Sequence, residues 1–518
     1  MSAREELIGK IIANPHDDSL RLALADQLSP DENAMGEIIR LQCELRGLTE
    51  QDSGWYWRRF KLANLLRGSN PFLIAFGEES NESVWTAALH AIKHNGLNVG
   101  KGTIERGFVE SYAVFDVERL KACEEAVMSV APLIRSFEFS DLRNTRQFEV
   151  LAGMQCISQA TRLKFSKCHF WSGELERILN GDNCGSVVSL VFSECTFDDG
   201  IESLLRTKLA GQIEQLVITL NREQAEGLDK ERRFLGSLFT GGSLQSLLSL
   251  ELDRCCITED LLQMAEWSGC NRLTDIDLGA PACSVEALQE FLRNDFSSLE
   301  SLHLSRIKGE LHKIDLRSIP KLRLFSLKGP TLSSSSMQTL GESVADCLQH
   351  LTISSCELTS SSLSSFLQCK ELRCMRYLNL QLNELDCEAA QMIACTPWLE
   401  GLVALKLSFN ELGQVAAESL ERSAVIGNLA FLDLAETKLG DLGAQRIASA
   451  LASNLQWLNL DTNAITSNSL ACLLDLRQMT SLVALRLKGN NVFGDYESEF
   501  IKRFGESVVN SYWLGYLI

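Results

Sequence analysis

Leu402-Val403-Ala404-Leu405-Lys406-Leu407-Ser408-Phe409-Asn410-Glu411-Leu412 decides how this chain is read. Leucines at 402, 405, 407 and 412 and an asparagine at 410 form a short phrase, and the phrase recurs fourteen times. Its asparagine position holds Leu142, Cys168, Cys195, Asn221, Cys255, Pro281, Ile307, Pro330, Cys356, Asn383, Asn410, Thr437, Asn463 and Asn490. Eleven of the thirteen intervals are 26 or 27 residues. Leu405 and Leu407, two apart, share one face of a strand. Units of this length bury that face only by stacking on their neighbours. The expectation is a solenoid built around a surface rather than a pocket.

Between the phrases lie helical stretches: Val415, Ala416, Ser419 and Leu420; Leu442, Ala444, Ile447, Ala448 and Leu451; Leu470, Leu473 and Leu474. Strand, turn, helix and turn make one unit. The predicted fold is therefore α/β, a leucine-rich repeat horseshoe with parallel strands on the concave face and helices on the convex face. The unit lengths and the Leu439-Gly440-Asp441-x-Gly443-Ala444-x-x-Ile447-Ala448 pattern resemble the ribonuclease-inhibitor-like class. Two intervals depart from the period. The one from Asn221 to Cys255 is 34 residues, read as a protruding loop or a longer helix. The one from Ile307 to Pro330 is 23, and its Ser318-Ile319-Pro320 stretch resists a full helix.

The domains expected are a helical region at 1–48, a linker and N-terminal cap at 49–120, about fourteen repeats at 121–495 and a C-terminal cap at 496–518. Asp17-Asp18-Ser19 can cap a helix carrying Leu20, Leu22, Leu24 and Leu28. The stretch Asn14-Pro15-x-Asp17-Asp18-x-x-Arg21-Leu22-Ala23-x-Ala25-Asp26-x-Leu28, followed by Gly36-Glu37-Ile38-Ile39-Arg40-Leu41-Gln42-Cys43-Glu44-Leu45, resembles the bacterial repeat-companion domain. Gln27 stands where that family usually has Trp. The resemblance implies an architecture, with repeats following, and no activity of its own. Alternation over 103–114 predicts an edge strand that starts and caps the solenoid. Trp55, Tyr56, Trp57 and Phe60 beside Arg58, Arg59 and Lys61 read as a linker helix packed on the solenoid end, or as a nucleic-acid contact.

Sixty-eight acidic against 49 basic residues give a net charge of −19, which repels phosphate backbones and anionic lipid. Neither nucleic acid nor membrane is an expected partner. The seventeen cysteines show no CxxC pair and no disulfide spacing, so a reduced, cytoplasmic, monomeric protein is expected. Cys168, Cys195, Cys255 and Cys356 occupy the asparagine position, where a small hydrogen-bonding side chain can serve the turn; metal ligation is the alternative. There is no phosphate loop, no GxSxG elbow and no HExxH. No enzyme, cofactor or metal is expected.

Positions between the leucines face the concave side. In four successive repeats the first column there reads Tyr377, Ala404, Phe431 and Trp457, and the next Asn379, Lys406, Asp433 and Asn459, with Asp461 beside it. Exposed aromatics with a polar flank suit a protein or peptide partner; rings that merely shield one another are the alternative. Glu251, Asp253, Asp275 and Asp277 form an acidic patch for a cation or a basic segment, or a solvated face. Arg162, Lys164 and Lys167 make a smaller basic patch. The function expected is a non-enzymatic interaction scaffold. The alternative is a regulator of an enzyme, an inhibitor or GTPase activator.

Overall fold

A computed structural model of the chain describes residues 3–28, 33–46, 48, 58, 62, 100–105, 108–114, 116–198, 201–220, 238–239, 244–254, 258–279, 284–307, 311, 315–369, 372–450, 454–474, 482 and 484–491. The expected C-terminal cap, the aromatic–basic linker segment apart from Arg58, and most of the long Asn221–Cys255 interval lie outside these residues. The chain packs as two units, Met1–Gly47 with Lys61–Leu273 and Leu48–Phe60 with Thr274–Ile518.

The first unit opens with three helices, Ala3–Ala13, Asp18–Asp26 and Asn33–Arg46. Asp17 caps the second, its carboxylate accepting the Ser19 N–H at 2.9 Å, one of the donors that a helix start leaves unsatisfied. Leu7, Ile11 and Leu24 form a buried cluster that is completed by Leu133 from the repeats. Fully buried Arg21 donates to the Pro15 carbonyl at 2.8 Å and pairs with the Glu110 carboxylate at 2.8 Å. The helices are thus docked by apolar packing and a buried ion pair.

Glu110 lies on an antiparallel hairpin, β1 (Gly100–Glu105) and β2 (Phe108–Val114). The single strand expected over 103–114 is corrected: alternation continues through both strands and does not reveal the reversal between them. β2 then pairs in parallel with β3 (Ser136–Ser140). Parallel pairing continues through β4 (Arg162–Ser166), β6 (Ser189–Ser193), β8 (Gln215–Thr219) and β9 (Ser249–Asp253). Two short strands after the turns, β5 (His169–Phe170) and β7 (Thr196–Phe197), pair with each other.

The second unit continues the pattern. Its parallel strands among the described residues are β10 (Asp275–Gly279), β11 (Ser301–Ser305), β12 (Leu324–Lys328), β13 (His350–Ser354), β14 (Tyr377–Asn379), β15 (Ala404–Lys406), β16 (Phe431–Asp433), β17 (Trp457–Asn459) and β18 (Ala484–Arg486). Leu378, Leu405, Leu432, Leu458 and Leu485 stand side by side in register. Helices follow on the far side of this leucine layer, among them Cys387–Ala394, Gly413–Glu421 and Gly440–Ala450. Between β11 and β12 no helix occurs among the described residues, and the chain turns through Ser318-Ile319-Pro320. Both units are leucine-rich repeat stacks.

The asparagine position explains how one repeat holds the next. Buried Asn410 accepts the Leu385 N–H of the preceding repeat at 3.1 Å and donates to the carbonyls of Leu380 (2.9 Å), Leu407 (2.9 Å) and Ser408 (3.3 Å). Asn383 does the same for Cys356 and Leu358, Asn463 for Thr437 and Leu439, and Asn490 for Asn463 and Ile465. A thiol is a weaker partner in this arrangement, its S–H a weak donor and its sulfur a weak acceptor. Cys168 donates to the carbonyls of Phe139 and Ser166, Cys195 to those of Phe165 and Ser193, and Cys356 to those of Leu327 and Ser354. Where Cys168 and Cys195 stand, the short β5–β7 ladder pairs the neighbouring backbone directly.

The residue before the asparagine position is left-handed in repeat after repeat. Asp141, Lys167, Glu194, Arg254, Arg306, Ser355, Leu382, Phe409, Glu436 and Thr462 all have φ between 50° and 62°, with glycine in this place at 329 and 489. For a residue with a Cβ this costs roughly 1–2 kcal/mol.

Asn410→Ala is expected to lower stability by about 2–4 kcal/mol, because one buried N–H and several carbonyls lose their partner. Chemical denaturation of the variant against the parent measures it. Arg21→Met should remove the cation from the partly buried Glu110 and weaken helix docking by about 1–3 kcal/mol. Limited proteolysis should then release the first 46 residues ahead of the repeats; simultaneous cleavage of both would contradict this docking.

Candidate functional site

On the strand face turned away from the helices, the ring column falls in a single line. Tyr377 pairs in register with Ala404, Ala404 with Phe431, and Phe431 with Trp457. Ala484 extends the same buried cluster. Exposure is where the expectation fails. Tyr377, Phe431 and Trp457 are only 3%, 1% and 2% exposed. Neighbouring strands lie about 4.8 Å apart, close to the thickness of a ring, so the rings cover one another's faces. Phe431 and Trp457 stack at 4.0 Å with planes 6° apart, and His350 lies 3.7 Å from Tyr377. Ala404 leaves a gap in the line that the side chain of Lys406 fills, its ammonium 5.3 Å from the Tyr377 ring and 5.1 Å from that of Phe431. Such cation–π contacts strengthen as water is removed.

The polar column lies one strand step further on. Asn379, Lys406, Asp433 and Asn459 stand in register with Arg486. Three side chains in it cap the backbone two residues on. Asn379 accepts the Gln381 N–H, Asp433 that of Ala435 and Asn459 that of Asp461, at 3.0–3.1 Å. Asp461 takes Nε and Nη2 of Arg486 on one oxygen at 2.9 and 2.7 Å, and the Lys488 N–H on the other at 2.6 Å. Asn379, Lys406, Asn459 and Asp461 are all buried. Burial pushes the Asp433 carboxyl up to about 6, against the pull of the Ala435 N–H, Lys406 and Arg486. Burial likewise drives His350 down to about 3, helped by His303 and Lys406. His350 is therefore neutral at ordinary pH.

Two polar atoms on this face have no partner among the described residues, the Trp457 indole nitrogen Nε1 and the Ser408 hydroxyl. Buried donors of this kind are uncommon and call for an explanation. Sequence periodicity places Trp457 on this face but says nothing of where its N–H can turn.

The acidic residues are divided between the units, Glu251 and Asp253 on β9 and Asp275 and Asp277 on β10. Asp253 lies 3.6 Å from Arg254, and Asp275 accepts from the Thr274 hydroxyl at 2.7 Å. No group of three or more His, Cys, Asp or Glu suited to a metal occurs among the described residues. In the smaller basic patch Lys164 pairs with Glu138 at 3.0 Å, so the patch is not purely basic.

These stacked strands, turns and helices define a leucine-rich repeat protein. No family model matches the chain, and no curated protein does. Among solved structures, the Rad7–Elc1 complex of yeast is 16% identical over 74% of this chain and 87% of the other, with a TM-score of 0.41. An internalin of Listeria monocytogenes is 14% identical over 82% and 94%, at 0.37. A leucine-rich repeat protein of Leptospira interrogans is 14% identical over 74% and 91%, also at 0.37. No helix among the described residues is long and apolar enough to cross a membrane.

Asp433 carries a pH prediction. Its folded value lies above the 3.8 of the free group, so the folded state holds the extra proton between the two values. The stability this gives is complete below 3.8 and lost as pH rises through about 6. Asp433→Asn should therefore stabilise the protein at pH 7.5 by roughly 1–3 kcal/mol, a gain that shrinks as pH approaches 4. Comparing denaturation midpoints of variant and parent at each pH separates Asp433 from His350, whose dependence runs the other way.

Proposed function

We propose that this chain is a recognition scaffold that binds a protein or peptide on the strand face of its second unit, without chemistry of its own. The observation that carries the reading is the buried Trp457 indole N–H, which has no partner among the described residues; the Ser408 hydroxyl, two strands away and further along the turn, is likewise without one. Trp457 belongs to the row of stacked rings that floors this face. A partner that displaces the side chains covering Trp457 would bring an acceptor to its N–H, and Asp433 and Arg486, each half-buried, flank the same floor. On this reading Tyr377, Phe431 and Trp457 act mainly as the floor that positions Lys406, Asp433 and Asp461, and direct contact falls to groups above it. Rigid aromatics within a dry, charge-flanked centre are the usual anatomy of an interaction hot spot.

The test places a photo-crosslinking residue at Lys328 or Lys488, both exposed on this face, and at Asn428 on the helix side as a control. The two strand-face positions should label one common partner in cells, and Asn428 should not. Trp457→Phe keeps the ring and deletes the donor, and should reduce that labelling at unchanged melting temperature. Equal labelling from all three positions would refute the strand-face assignment.

A further inference from the structure

Among the described residues the exposed large hydrophobic side chains of the second unit are Leu382 (46%), Phe409 (45%), Val415 (60%) and Leu442 (59%). All four lie on the turns from strand to helix in the three successive repeats of β14, β15 and β16. Leu382 and Phe409 are equivalent positions in adjacent repeats. The Leu382 N–H donates to the Ser408 carbonyl at 3.0 Å, and the Phe409 N–H to that of Ala435 at 2.9 Å. Val415 and Leu442 are equivalent positions in the first turns of the helices Gly413–Glu421 and Gly440–Ala450. The Gly413 N–H ties these loops together through the Thr437 carbonyl at 2.9 Å.

In the neighbouring repeats the same two positions are polar or glycine. The left-handed position carries Ser355, Glu436, Thr462 and Gly489 in nearby repeats. The helix position carries Ser335, Ser361, Glu388 and Asn468. Only here do apolar side chains fill both, and they form a diagonal strip from Leu382 through Phe409 and Val415 to Leu442. Being about half exposed, they contribute little to the fold's own core.

Carboxylates border the strip. Glu384, Glu388, Glu411 and Glu436 are exposed on the same loops. Lys438 is the one cation of residues 380–388, 407–415 and 434–442, and it pairs with Glu411 at 2.6 Å. An apolar strip between acidic margins complements a helix with an apolar stripe flanked by Lys or Arg. An anionic bilayer or a second copy of this acidic chain would meet like charge.

We propose that this rim binds a basic amphipathic helix from another protein, laid diagonally across the three repeats. Two helix-to-helix steps of about 8–10 Å span the footprint of an ~11–13-residue helix. The rim is separate from the strand face, so peptide binding here and crosslinking there succeed or fail independently.

The probe is a fluorescent peptide of about 14 residues with Leu and Lys at helical spacing, read by anisotropy, with a Leu/Glu peptide of the same pattern as control. The Leu/Lys peptide should bind, more weakly as salt rises, and the Leu/Glu peptide should not. Leu382→Gly/Phe409→Gly should weaken binding by about tenfold or more. Its melting temperature should hold or rise, because glycine suits the left-handed backbone. Glu384→Gln/Glu411→Gln should weaken binding and flatten its salt dependence. Failure of the Leu/Lys peptide to bind, equal binding of both peptides, or unchanged affinity in the glycine variant would overturn the proposal. So would a dimer, or vesicle binding, abolished by that variant.

Discussion

Each turn from strand to helix exposes backbone N–H and C=O groups that its own repeat leaves without a partner, and the rest of the structure depends on the side chain that satisfies them. In four C-terminal repeats that side chain is an asparagine, Asn383, Asn410, Asn463 or Asn490, reaching back from the following repeat. Asn490 serves the turn of Asn463, Asn463 that of Thr437, and Asn383 that of Cys356. A repeat's turn is therefore complete only when the next repeat is in place. This makes folding of these repeats a nearest-neighbour matter and helps fix the register of their strands. The first unit, with cysteine at 168 and 195, has weaker thiol hydrogen bonds at this position and adds backbone pairing through β5 and β7. The same period is held by two different hydrogen-bond solutions.

The fold was legible in the sequence because leucines two apart on a strand have one place to go. The ring column was legible to the same degree: Tyr377, Phe431 and Trp457 do share one line on the face opposite the leucines. Their exposure was not, because alternation tells which face a side chain takes and nothing about what then stacks on it. Rings on adjacent parallel strands are separated by little more than their own thickness, so a column of them buries itself. The hairpin at 100–114 was hidden for a related reason, since antiparallel strands continue the same alternation. Val415 and Leu442 lie in the helices that spacing predicts. Helical spacing groups them with Ala416 and Ala444, yet the first turn directs them outward while Ala416, Leu420, Ala444 and Ile447 are buried.

Charge on the strand face behaves as a dry network rather than a solvated patch. Asp461 is held between Arg486 and the Lys488 N–H, Lys406 is bracketed by two rings, and Asp433 is left with the least compensation. Its raised carboxyl and the depressed His350 share one cause, loss of water around groups that would otherwise ionise. Both displacements oppose ionisation, so the face carries less charge at mildly acid pH than its composition suggests. A partner that brings an acceptor to Trp457 gains from this dryness, because a hydrogen bond is stronger where water does not compete.

The left-handed turn position shows where such a protein can change its surface at least cost to its fold. The backbone strain there is present in repeat after repeat, whether the residue is Asp141, Lys167, Ser355 or Phe409. Exchanging one non-glycine side chain for another adds little to it. The side chain also points away from the leucine layer and from the asparagine ladder, so neither packing nor register constrains its chemistry. Substitution at a strand leucine opens a cavity, and substitution at the asparagine orphans a turn. Substitution at 382 or 409 does neither. Apolar residues retained at such a position are explained by what they meet outside the chain, and a run of them across three adjoining repeats is the arrangement an elongated ligand requires.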